Sequence, residues 1–199
     1  MWIYLTRHAE TDGNANRMVQ TPDTPLSTRG ERQAQQLANA YSQLPISSIL
    51  SSDYARTQDT ASKLHSKLKC KFIKSELLRE RNFGDLRGRA YDDIASDIFA
   101  IDYHPPRGES YVDFVDRIHK AWQQVLTVAN NQEGDLLVMT HGLVVRCILT
   151  ELLALSPQVL AQTDIKNTCV TKISKYDHTN IPLLCDVRHL SDKAFNKRE

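Results

Sequence analysis

Apolar positions along this chain fall either into short unbroken runs or into stretches with helical spacing. Residues 3–6 form a short apolar run that fits a buried strand and stops at Arg7-His8. A polar loop follows to Ser27, broken by Gly13, Pro22 and Pro25. Over residues 28–44, Ala34, Leu37, Ala38, Tyr41 and Leu44 recur every three or four positions behind Ser27 or Thr28 as N-cap, which predicts a helix. Residues 46–50 read as a second strand, 54–68 as a second helix and 71–75 as a third, weaker strand.

Residues 76–107 are rich in charge, Gly and Pro and read as an excursion from the core, with a short helix expected over 91–101. Residues 111–129 are amphipathic: Val112, Val115, Ile118, Trp122, Val125 and Ala129 share a helical face. Residues 136–140 form the strongest strand pattern in the chain and stop at His141-Gly142. Residues 143–155 are apolar nearly all round, which predicts a buried helix. Residues 168–174 and 183–189 alternate like closing strands, and the charged tail after Ser191 reads as frayed. Strands alternating with helices predict an α/β three-layer sandwich, a mostly parallel central sheet with helices on both faces. The whole chain, 1–199, is expected to be a single domain.

Composition narrows the class. With 41% hydrophobic and 25% charged residues the chain reads as a soluble globular protein. Its formal charge of +1 implies no bulk attraction to nucleic acid or anionic membrane, so neither is expected as a partner. The four cysteines are scattered without a C-x-x-C pair and read as reduced thiols. No signal peptide or membrane-length apolar run is apparent, so a cytoplasmic location is expected.

Working groups in parallel sheets gather beyond the carboxyl ends of strands. His8 and His141 both follow strand patterns directly. A neutral imidazole can attack phosphorus, and an adjacent cation such as Arg7 disfavours the imidazolium while offering a planar fork to phosphate oxygens. Arg56 opens the second helix, where free N–H groups already favour anions. Glu80, between Arg79 and Arg81, is a carboxyl that could protonate a leaving alkoxide. Each feature alone has an ordinary reading: a solvated Arg-His turn, an Arg capped by Asp53, a core histidine, an exposed salt-bridging Glu. No metal-ligand motif is present, and neither metal nor cofactor is expected.

Together, in order, they resemble the histidine phosphatase superfamily, also called the phosphoglycerate mutase-like family. The resemblance runs through Arg7-His8-Ala9-Glu10-Thr11 with Asn14, Leu26-Ser27-Thr28-Arg29-Gly30 with Gln33-Ala34, and Ser51-Ser52-Asp53 through Arg56 to Gln58-Asp59-Thr60-Ala61. It continues in Arg79-Glu80-Arg81-Asn82-Phe83-Gly84, Gly108-Glu109-Ser110 and Val138-Met139-Thr140-His141-Gly142. The resemblance implies His8 as the phosphorylated nucleophile and Arg7, Arg56 and His141 around the phosphoryl oxygens. It further implies Asn14 as an added donor, Glu80 as proton donor and then base, and Glu109 as an orienting residue.

Cofactor-dependent mutases of this family carry a long insertion before the Gly-Glu-Ser motif, with arginines that hold a substrate carboxylate. Here residues 87–107 are short and lack an adjacent Arg pair, which favours a phosphatase acting on a small phosphorylated substrate. Mutase-type phosphoryl transfer is the alternative, and a binding protein on the same fold ranks lower because His8, Arg7, Arg56, Glu80 and His141 are all retained. Arg79, Arg81, Arg87 and Arg89 are expected either at the pocket rim or in a solvated loop facing Asp85, Asp92 and Asp93, the latter slightly favoured. Leu86-Arg87 departs from the Trp-Glu often found here in the small phosphatases, so the substrate stays open among metabolites, alpha-ribazole phosphate and phosphoproteins. Oligomeric state is equally open.

Overall fold

A computed structural model describes residues 1–190. The tail after Ser191 lies outside the described residues. The sheet has six strands in the order β3-β2-β4-β1-β5-β6: β1 Trp2–Arg7, β2 Ile46–Ser52, β3 Lys71–Ser75, β4 Asp135–Thr140, β5 Val170–Ser174 and β6 Leu183–Asp186. The first four strands in that order run parallel; at one edge β5 pairs antiparallel with β1, and β6 antiparallel with β5.

Alternation along β1 and β4 explains the layers. Ile3, Leu5, Leu136 and Val138 point to one face and pack under α4 (Tyr111–Asn130) and α5 (Gly142–Cys147). Tyr4, Leu137 and Met139 point to the other and pack against α2 (Thr28–Tyr41) and α3 (Ala55–Leu68). Strands covered on both faces must be apolar at nearly every position, as residues 136–140 are. The α/β three-layer expectation holds.

Four elements differ from the sequence reading, the first being the closing strand expected over 183–189, which ends at Asp186 and gives way to a 3-10 turn, Arg188–Leu190. The helix expected over 91–101 is a single 3-10 turn, Tyr91–Asp93. Asp97 turns its carboxylate onto the Phe99 N–H at 3.0 Å, a local bond that competes with helical pairing. The helix expected over 143–155 is α-helical only to Cys147 and continues as a π turn, Ile148–Leu152, closed by Leu153 N–H donating to Ile148 O. It is buried on one side only, since Arg146, Thr150 and Glu151 face solvent. The loop after β1 contains one short helical turn, α1 (Asp12–Ala15), closed by a Thr11 capping box.

The excursion over 76–107 carries its own small apolar cluster of Val19, Phe83, Leu86 and Ile98. Reciprocal backbone bonds between Val19 and residues 88 and 89 tie it to the loop that follows β1. One further short helix, α6 (Pro157–Ala161), precedes β5. Among the described residues no helix is long and apolar enough to cross a membrane, and no cysteine is in a disulfide.

Candidate active site

β1 and β4 are adjacent and parallel, with Arg7 registered against Thr140. The residues that follow each strand therefore emerge side by side, and His8 N–H donates to Thr140 O at 2.9 Å. The rings of His8 and His141 lie 5.2 Å apart, edge to face. β2 ends beside β4, which brings Ser52 and the first turn of α3, with Arg56, to the same edge. A cavity of about 280 Å³ opens there, lined by Arg7, His8, Asn14, Arg56 and Glu80.

The hydrogen bonds assign the protons. His8 Nδ1 lies 2.7 Å from Ala9 O. A carbonyl can only accept, so Nδ1 carries the hydrogen and Nε2 is left with its lone pair. Burial, then Arg56 and Arg7, push the His8 pKa well below 6.5, so the ring is neutral. Ser52 Oγ stands 2.9 Å from His141 Nε2 and has no other acceptor among the described residues. Its hydroxyl therefore donates, and the hydrogen of His141 sits on Nδ1. Burial and Arg56 likewise hold His141 neutral.

Three buried nitrogens have no partner here: Arg7 Nε, Arg56 Nε and His141 Nδ1. Buried donors are almost always satisfied, so a cluster of orphans beside a cavity marks the place of an absent acceptor. One Nη of each guanidinium is fixed. Arg7 Nη1 donates to Ile165 O at 2.7 Å, and Arg56 Nη1 to Thr21 O at 2.8 Å. Arg56 is only 2% exposed, and burial pushes its pKa down to about 10. Two cations face one cavity with Glu80 opposite them, an arrangement that favours a bound anion between them. Asn14 accepts through Oδ1 from Thr11 N and Asn167 Nδ2, which leaves its own amide hydrogens without an acceptor among the described residues.

Glu80 faces this cluster. Its Oε1 accepts from Arg81 N at 3.0 Å and its Oε2 from Leu143 N at 3.2 Å. Burial raises its pKa above 4.5 against the pull of those two amides and of Arg56. Arg117 positions the loop that bears it. One guanidinium donates to the carbonyls of Leu77, Arg79 and Glu80 and also grips Glu109. Glu109 in turn accepts from Asn82 N. Glu109 thus lies at the base of the Glu80 loop, not in the cavity.

Several motif residues act as splints. Thr60 Oγ1 accepts from Ala9 N and Gln33 Oε1 from Glu10 N, fixing the backbone just after His8. Gly30 lies so close that a Cβ would come 1.9 Å from Glu10 O. Gly142 has an equally specific reason: a Cβ there would stand 3.3 Å from Arg7 Nε, one of the orphaned donors. Its φ is not what requires glycine.

The arginine cluster divides. Arg81 and Arg87 line the cavity. Arg81 is buried and spends its guanidinium on the carbonyls of Glu109, Ile98 and Tyr103. Arg87 meets only the Tyr54 hydroxyl. Arg79 binds Asp53, so Asp53 does not cap Arg56. Asp85 pairs with Arg107 and Asp92 with Arg17, and Arg89 reaches only the Asp93 carbonyl oxygen. The solvated-loop reading of that cluster therefore fails for Arg81 and Arg87. Sequence reasoning also assigned no part to Ser52, Asn167 or Arg117. Arg117 is one polar position on a helix most of whose other polar positions face water, and nothing local distinguishes it.

Comparison with known proteins shows the family and the fold. "Probable phosphoglycerate mutase GpmB" of Proteus mirabilis is 32% identical, over 98% of this chain and 97% of that one. The structure of Bacillus stearothermophilus YhfR superposes with a TM-score of 0.81 at 27% identity, covering 96% of this chain and 99% of that one. The alpha-ribazole phosphatase of Shigella flexneri shares the fold, with a TM-score of 0.79 at 23% identity over 94% of this chain and 96% of that one. Residues 3–185 match the model of the histidine phosphatase superfamily, branch 1. With that match spanning nearly every element of the sheet, the chain belongs to the histidine phosphatase superfamily.

Proposed function

We propose that this protein hydrolyses phosphate monoesters through a phosphohistidine on His8. The observation that carries the reading is the set of orphaned nitrogens on Arg7, Arg56 and His141, gathered beside an imidazole whose Nδ1 is already engaged. Phosphoryl transfer depends mainly on positioning and on stabilising charge on the equatorial oxygens. These donors, with the Asn14 amide, suit that task without a metal ion.

In the first step the Nε2 lone pair of His8 bonds to phosphorus and the ester P–O bond breaks. The departing oxygen takes its electron pair together with the proton held by Glu80. In the second step the Glu80 carboxylate removes a proton from water, the water oxygen bonds to phosphorus, and the P–N pair returns to Nε2. Inorganic phosphate leaves, and Glu80 is again protonated. The raised pKa of Glu80 and the depressed pKa of His8 favour this starting state, acid protonated and nucleophile neutral.

The alternative is return of the phosphoryl group to a retained intermediate, as in a mutase, which the name of the Proteus mirabilis relative favours. Against it, most arginines of the excursion are already engaged. Arg81 serves carbonyls, Arg107 serves Asp85, and only Arg87 of that segment reaches the cavity with a free face. Rapid quench with a labelled aryl phosphate tests the proposal. Acid-labile, base-stable label is expected on the wild type and none on a folded His8→Ala variant, which should lack turnover. Wild-type turnover by His8→Ala would overturn the nucleophile assignment.

A further inference from the structure

A second cavity of about 450 Å³ adjoins the first. The two share one edge, formed by Arg81, Phe99, Leu143 and Arg146. Past that edge the groove runs between the excursion and helices α4 and α5, over Ile101, Tyr111, Phe114 and Cys147, and reaches Thr150. Its floor is firm, since Phe114 and Cys147 belong to the main core. Its rim is open: the near neighbours Phe99 and Ile101 are 48% and 72% exposed.

The first cavity, at about 280 Å³, lies just below the usual range of ligand pockets, roughly 300–1,000 Å³. Its charged end is committed to the anion cluster at His8. The shared edge presents Phe99 and Leu143, and the one buried cation there, Arg81, has its donors turned to backbone carbonyls. A leaving group held at His8 has two ways out: past Glu80 and Arg87 into a polar cavity of about 730 Å³ lined by Asp53, Arg79, Asn82 and Arg117, or over Phe99 and Leu143, with Arg146 at the rim, into the mostly apolar groove.

Building on the phosphatase reading, we infer that the groove receives the apolar part of the leaving group. The preferred substrates are then phosphomonoesters of alcohols or phenols that carry an extended apolar chain or ring. Continuity with the catalytic cavity and the lining of Phe99, Ile101, Phe114 and Leu143 name the occupant, since an apolar group leaving the site is better buried here than in the polar cavity beside Glu80.

Phenyl phosphate and 4-butylphenyl phosphate test this, since a para-alkyl group barely alters leaving-group acidity and adds only apolar reach. Each buried methylene is worth about a fourfold preference. The wild type should favour the butyl ester in kcat/KM by about tenfold or more. Ile101→Asp and Thr150→Trp, which place a charge in the groove or fill it, should bring that ratio toward one. Tyr176→Ser, at an exposed residue lining neither cavity, should keep it. A wild-type ratio near one, or a ratio indifferent to both groove variants, overturns the inference. So does a change in sedimentation on Ile101→Asp with the ratio unaltered, which would assign the groove to contact between copies. Calorimetric titration of both esters into His8→Ala reads the same preference as a Kd ratio without turnover. Failure of the phosphatase reading and failure of the groove are thereby distinguishable.

Discussion

Arg117 grips Glu109 through two bonds, Nε to Oε1 and Nη2 to Oε2, each 2.8 Å, beneath the loop that carries Glu80. Both side chains are mostly buried, at 19% and 14% exposure. Neither lines the cavity at His8. Their effect on chemistry must act through the loop, which makes them positioning residues.

Arg117→Met should cost about 2 kcal/mol of stability, by leaving the Glu109 charge unpaired, and lower Tm by about 5 °C. It should reduce kcat about tenfold with little change in KM, because the anion donors on Arg7 and Arg56 are untouched. Arg117→Lys should fail to restore kcat, since an ammonium cannot supply the fork that spans Glu109 and three carbonyls. Calorimetry and steady-state kinetics check both statements. A raised KM with unchanged kcat would place Arg117 in substrate binding instead.

Gly142→Ala should place a methyl group against Arg7 Nε, at 3.3 Å by the present backbone. Arg7 must then shift by a few tenths of an ångström while its Nη1 stays tied to Ile165 O. Affinity for orthovanadate should fall about tenfold, the scale of one impaired charge-assisted hydrogen bond. Thermal stability should change little. Unaltered vanadate affinity would remove Arg7 Nε from the anion cluster.

The pH profile follows from two opposed shifts. His8 must be neutral, so kcat/KM should rise with pH through its depressed pKa, which lies below 6.5. Glu80 must be protonated, so kcat/KM should fall again as pH passes its raised pKa, which lies above 4.5. Glu80→Gln should abolish the basic limb and slow an alkyl phosphate by about 10²–10⁴-fold. With nitrophenyl phosphate the same variant should keep a burst and lose steady-state rate, because only phosphoenzyme breakdown then needs the carboxylate. Equal, mild losses on every step would move the role to another acid of the loop.

Charge at the site comes from Arg7 and Arg56. Among the described residues no group of His, Cys, Asp and Glu gathers as a metal-holding cluster. Turnover should survive extensive chelation, and vanadate should inhibit in the same buffer. Activity lost to chelator and restored by a divalent ion would contradict the proposed mechanism.

Much of the site was legible because its chemistry sits at strand ends. The apolar runs before His8 and His141 mark two buried strands, and parallel neighbours deliver their next residues to one edge. What stayed hidden depends on distance in the chain. Arg117 reads as one more polar position on α4, and Ser52 as the end of a strand, until folding sets them under Glu80 and beside His141. The helix expected over 91–101 misled because Asp97 offers its neighbour's N–H a local bond. The apolar run over 143–155 is helical as far as Leu152, but an all-round apolar pattern carries no sign of the π turn at Ile148–Leu152.

The floor of the site and its roof rest on different clusters, which meet at Leu143. Arg7, His8 and His141 stand on strands clamped between the two large clusters that flank the sheet. Phe83 and Tyr91, which wall the cavity opposite, hang on the small cluster around Val19, Leu86 and Ile98, and Phe99 joins them through edge contacts with both rings. A segment with so few buried contacts can open without unfolding the sheet, and its amides should exchange hydrogen well before those of β1 and β4. The same separation makes the roof free to drift. Substitutions there can redraw which leaving groups fit while the residues that handle phosphate keep their positions, so descendants of such a chain could change substrate long before they lost catalysis.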